Sequence, residues 1–136
     1  MWTHRPLRLR RLLQPGVTMN FLARTPRPPY YAVILSSQRT AAGNEAYAAM
    51  AERMVELAAQ QPGILGVEST RDADGQGITV SYWQTLEAIR GWGKQAEHRI
   101  AQRMGKSEWY EAFRLRICRV EHEDSYERTL EIGEHL

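Results

Sequence analysis

This chain has little of what usually announces a chemistry. Its 136 residues include one cysteine, Cys118, so no internal disulfide can form. No Cys-x-x-Cys pair or Cys/His cluster supplies the ligand spacing of a structural zinc site. No glycine-rich phosphate loop and no obvious nucleophile–base pair stands in the sequence. No apolar run approaches the roughly 18–20 residues that cross a bilayer, so a membrane is not an expected partner. Acidic residues are absent from 1–29, which hold six arginines and five prolines. The remaining residues carry 12 basic and 16 acidic side chains, a net charge of −4. The basic balance of the whole chain therefore belongs to its first segment. The body offers no broad cationic surface for phosphates, and nucleic acid is not expected. Sparse cysteine fits a reducing, cytoplasmic setting.

Composition divides the chain in three. Residues 1–29 read as a basic, proline-broken leader without stable structure, since proline restricts the backbone and stops helices. Only Leu7 to Leu13 has room for a helical turn or two. The leader has three readings: an over-long start with Met19 as the first native residue, a tail that folds over the body or a partner, or a targeting peptide. Against the last, the leader contains no serine. Residues 30–123 form the folded domain. Residues 124–136 form an acidic tail in which Leu130 and Ile132 suggest a short arm.

Within the body, Tyr30 to Gln38 is aromatic and β-branched without a breaker, which predicts a strand. Asn44 is placed to cap a helix along which Tyr47, Met50, Met54 and Leu57 recur at helical spacing. That stripe reads as core. Pro62-Gly63 ends the helix. Ile64–Arg71 and Ile78–Trp83 are strands joined by the turn-forming Asp72–Gly77. Thr85 caps a second helical region. Gly91 and Gly93 flank Trp92 there and predict a break between Trp92 and Ala96. Phe113 to Val120 alternates as a last strand. The order strand–helix–strand–strand–helix–strand is the ferredoxin-like βαββαβ arrangement, an α+β fold with a four-stranded antiparallel sheet and both helices on one face. The uncovered face predicts a homodimer that buries sheet against sheet.

Several strings carry a family resemblance: Gln61–Glu68 (QPGILGVE), Gly77–Trp83 (GITVSYW) followed by Leu86–Ile89, Trp92 through His98, and Trp109–Glu111 before Arg114–Arg116. Over about Tyr30 to Glu123 the chain resembles the antibiotic biosynthesis monooxygenase family, whose members are dimeric α+β barrels. The resemblance implies a pocket between helices and sheet. It also implies oxygenation of a small aromatic or quinol-type molecule without a cofactor, the substrate itself supplying electrons. Two alternatives are a non-catalytic dimer that binds a small hydrophobic ligand, and a heme-binding protein. The heme-degrading branch has a histidine ten residues after its helix tryptophan and an asparagine on its first strand. Here Gln102 stands ten residues after Trp92, His98 stands six after it, and Ser36, Ser37 and Gln38 occupy the strand.

The candidate site residues follow. Trp92 either walls a pocket or packs the core. His98, with an ordinary pKa near 6.5, suits proton transfer, although Glu97 and Arg99 beside it suggest an exposed face. Trp83 and Tyr82 point to opposite sheet faces, so one of them can line a given cavity. Tyr110 and Arg114 complete the expected substrate pocket, Arg114 pairing with an acid such as Glu68 if its strand face lies at the dimer seam and otherwise orienting an anionic substrate. No metal site is expected.

Overall fold

The computed structural model describes residues 21–128. Its elements are β1 (Tyr30–Arg39), α1 (Asn44–Ala58), β2 (Ile64–Arg71), β3 (Gln76–Trp83), α2 (Leu86–Lys94), α3 (Ala96–Met104), a π-helical turn (Gly105–Trp109) and β4 (Tyr110–Val120). The four strands form one sheet in the order β2-β3-β1-β4, every neighbour antiparallel. This is the expected ferredoxin-like α+β fold. No described helix is long and apolar enough to cross a membrane.

Register fixes which side chains share a face, because strand side chains alternate. Tyr31 faces Trp83 across β1 and β3, Val33 faces Ser81, and Ser37 faces Gly77. Val67, Ser69 and Arg71 of β2 continue those rows, as do Ile117, Leu115 and Phe113 of β4. The helices cover this odd-numbered face over β2, β3 and β1, while Leu115 and Ile117 of β4 stay 48% and 51% exposed. Trp83 stacks on Trp92 of α2, and Arg71 donates to the Tyr47 hydroxyl of α1. Ile34, Val80, Tyr82, Glu68, Arg114 and Arg116 lie on the other face.

Local signals explain most boundaries. The β2–β3 turn is held by the Asp72 carboxylate, which accepts from the backbone N–H of Asp74 at 3.0 Å and of Gln76 at 2.9 Å. Thr85 caps α2 as expected, accepting from Ala88 N–H at 3.0 Å. Asn44 does not cap α1. Gly43 is the cap residue, without a side-chain bond, and Asn44 Oδ1 instead accepts from the Arg39 guanidinium at 3.3 Å. A buried guanidinium needs acceptors, and this one diverts the cap.

The leader expectation reaches residue 29, and Leu7–Leu13, like Leu130 and Ile132, lies outside the described residues. Residues 21–29 bond to the body. Ala23 N–H donates to Glu68 at 2.9 Å, and Thr25 and Tyr30 both donate to Glu123. The segment lies so close to β2 that a Cβ on Gly66 would stand 2.8 Å from the Ala23 Cβ.

On the other face Tyr30 and Ala32 are buried, Tyr30 edge-on to Tyr82; the rest of the core lies mainly at two ends of the helix-covered face. At one end Tyr47 and Trp109 meet edge to face at 5.7 Å, with Met50, Ala51, Met104 and Tyr110 around them. At the other, Trp83 has no exposed surface and Ile89 is buried. Between them Val33 and Leu35, on the interior strand β1, are only half-buried, as are Met50 and Met54 of α1.

Gly63 holds φ +87°, and a Cβ there would meet the Ala88 Cβ at 2.6 Å. Gly63→Ala is expected to lose about 1–3 kcal/mol of stability, since positive φ and a clash act together. Urea denaturation of the variant checks this.

Candidate active site

A column of three rings marks the best-formed site. Trp83 ends β3, and its indole N–H donates to the Ser81 hydroxyl at 2.9 Å, which satisfies the polar edge of a fully buried ring. Trp92 stacks on it with centroids 6.4 Å apart and planes at 29°. His98 stacks on Trp92 at 4.2 Å and 13°. Sheet, α2 and α3 each contribute one ring.

The column depends on a chain break. The expected interruption between Trp92 and Ala96 falls at Gln95, whose φ of −63° and ψ of 130° are extended. The flanking glycines are not where the helix stops; nothing lies within 4 Å of a Cβ added at Gly91 or Gly93. An unbroken helix would turn residues 92 and 98 well away from one another. With the break, the His98 ring folds back on Trp92, and Nδ1 lies 2.8 Å from the Trp92 carbonyl oxygen. Half-burial lowers the His98 pKa from its ordinary value, while the hydrogen bond to the Trp92 carbonyl pulls weakly the other way. Near neutral pH the ring is uncharged and able to accept a proton.

The opposite end of the covered face holds a cationic and phenolic cluster. Arg39 lies 3.8 Å over the Tyr47 ring and donates to the carbonyls of Trp109 and Ala42 at 3.1 and 2.7 Å. Burial lowers its pKa. Arg71 donates to the Ser37 hydroxyl at 2.7 Å and to Tyr47 at 3.3 Å. The Tyr110 hydroxyl donates to that of Tyr47 at 3.4 Å. Burial, and then Tyr47, push the Tyr110 phenol well above its usual range, so it stays protonated.

Of the five candidate residues, the structure brings together Trp83, Trp92 and His98. Tyr110 shares their face but pairs with Arg39, whereas Trp83 pairs with Tyr31. Eight residues of β1 separate those rungs, roughly 26 Å at the usual strand rise, so Tyr110 belongs to the other end. Arg114 pairs with Ser36 on the uncovered face and cannot join a pocket with Trp92. Glu68 lies on the same face and accepts from Tyr82 at 2.7 Å and from Ala23. Gln95, Arg39 and Arg71 carry no motif that singles them out in the sequence. Among the described residues, no group of three His, Cys, Asp or Glu side chains is placed to hold a metal ion.

Residues 30–104 match the family model for antibiotic biosynthesis monooxygenases. The chain belongs to that family. An uncharacterised Bacillus subtilis (strain 168) protein, YqjZ, is 50% identical over 111 residues, covering 82% of this chain and 96% of its own. Among solved structures, a Shewanella oneidensis protein superposes with a TM-score of 0.61 at 12% identity, covering 68% of this chain and 91% of that one. A candidate antibiotic biosynthesis monooxygenase from Nitrosomonas europaea gives 0.59 at 13% identity, covering 65% of this chain and 88% of that one. At these identities the structures establish the shared fold of the antibiotic biosynthesis monooxygenases and nothing finer.

The lowered His98 pKa has a definite sign. The unfolded chain binds the proton more tightly, so stability from the neutral ring is complete above about pH 6.5 and is lost as pH falls through the folded value. An NMR titration is expected to place the His98 midpoint below about 6.5. In His98→Gln, the acid-side loss of stability between those two values is expected to flatten.

Proposed function

We propose that this protein is a cytoplasmic, homodimeric monooxygenase that oxidises a small phenol or quinol without a bound cofactor. One observation carries the reading: a histidine whose pKa burial lowers, stacked on a half-buried tryptophan on the sheet face that carries the helices. Trp92 offers a flat face to an aromatic ring, and His98 offers a base for the phenolic proton. Val33 and Leu35 supply an apolar floor.

The reaction balances with oxygen as the only oxidant. A phenol loses its hydroxyl proton and one ring hydrogen. One atom of O2 becomes the second carbonyl of a quinone, and the other leaves as water. All four electrons come from the substrate. The protein's part is to hold the ring, exclude bulk water and remove the first proton, which makes the ring electron-rich enough to react.

The dimer rests on the uncovered face. Ile78 is 49% exposed there, beside Ile34 and Val80, and an apolar sheet face of this kind is stabilised by association. Light scattering at micromolar concentration is expected to give twice the 15.7 kDa chain mass. A monomer would contradict the packing argument.

Oxygen uptake with a panel of phenols and hydroquinones tests the chemistry. His98→Ala is expected to lower the rate about 10²–10⁴-fold, the usual contribution of a general base. Trp92→Phe is expected to weaken it less. Saturable binding of these compounds without uptake would replace the enzyme by a ligand-binding dimer. A Soret band on heme titration, lost in His98→Ala, would replace it by a heme protein, for which a neutral imidazole is a suitable ligand.

A further inference from the structure

We infer that Gln95 is a positioning residue that fixes His98 as a single tautomer, with the hydrogen on Nδ1 and the lone pair on Nε2. This deepens the proposed function, and its relevance to catalysis rests on that reading. Gln95 acts at three points. Its extended backbone ends α2 and prevents the Trp92 carbonyl from continuing the helical ladder to residue 96. Its own N–H donates to the Trp92 carbonyl at 3.1 Å, holding that oxygen at the helix end. Its side-chain oxygen accepts from His98 N–H at 2.8 Å, which caps α3 and sets the rotation of the backbone from which the imidazole projects. Glutamine is not a favoured capping residue, and Ser, Thr, Asp or Asn is the usual choice. Its role here combines a cap with a turn between two helices.

The tautomer follows from the acceptor. A carbonyl oxygen cannot donate, so the 2.8 Å contact with Nδ1 requires the hydrogen to sit on Nδ1. In the neutral ring Nε2 is then the basic nitrogen. Stacking at 4.2 Å and 13° on Trp92 opposes the ring flip that would exchange the two nitrogens. Free imidazole side chains in water favour the opposite form, with the hydrogen on Nε2. The fold thus selects the less common tautomer and directs the lone pair away from the helix end. A proton acceptor held in this way needs no rearrangement before it takes a phenolic hydrogen.

The test is a long-range ¹H–¹⁵N correlation spectrum of the full-length ¹⁵N-labelled protein at about pH 8, where the ring is neutral. The wild type is expected to show a protonated Nδ1 and an unprotonated Nε2. In Gln95→Ala the Nε2–H form is expected to rise several-fold. Gln95→Asn, which keeps a capping oxygen, is expected to restore the wild-type pattern. Gln95→Gly removes the cap while tolerating the extended backbone, and it stands in if the alanine variant does not fold. A wild-type spectrum with hydrogen on Nε2 overturns the inference. So does a folded Gln95→Ala or Gln95→Gly protein with the wild-type pattern. No turnover is involved, so an absence of oxygen uptake would remove the proposed reaction and leave the tautomer assignment standing.

Discussion

The stack of Trp83 on Trp92 joins the helical layer to the sheet at the end where the site is built. Trp83 has no exposed surface, and its N–H is already bound by Ser81, so its ring face is what remains to be covered. Burial of so large a ring accounts for several kcal/mol in most folds. Trp92 covers that face from the helix side, and His98 then covers Trp92. The imidazole is thus the last member of a column anchored in the sheet. Its position follows from the depth of the anchor and the turn at Gln95.

The far end is held by a different kind of interaction. Arg39 and Arg71 meet on Tyr47, and the Arg39 guanidinium bonds the carbonyls of Trp109 and Ala42 and the amide oxygen of Asn44 and lies over the Tyr47 ring. A buried guanidinium is costly unless its hydrogens are directed, and the strand ends and the loop before α1 direct them here. This arrangement closes the sheet end against α1 and keeps Tyr110 in place.

How far this was legible depended on how local each cause was. The bounds of β2 were legible because Pro62-Gly63 and Asp72–Gly77 punctuate them. The break in the second helical region was legible from the glycines around Trp92, although the residue that breaks is Gln95. The early start of β4 at Tyr110 was not, because Tyr110 is drawn into the sheet by Tyr47 and its pairing with Arg39. The face of Trp83 and that of Arg114 follow from alternation alone, but which face the helices cover does not. Nor does any string announce that two strand-end arginines converge on one tyrosine, since that contact joins residues 39, 47 and 71 across the fold.

The close seat of residues 21–29 on β2 ties two distant positions to one another. Ala23 and Gly66 leave room for each other only because each is small, and the bond from the Ala23 N–H to the Glu68 carboxylate keeps them in register. Substitution drift at one is therefore not free at the other. Among descendants of this chain that keep this seat, a bulkier residue at 66 must be accompanied by a displaced 21–29 segment, and the pair should vary jointly or not at all.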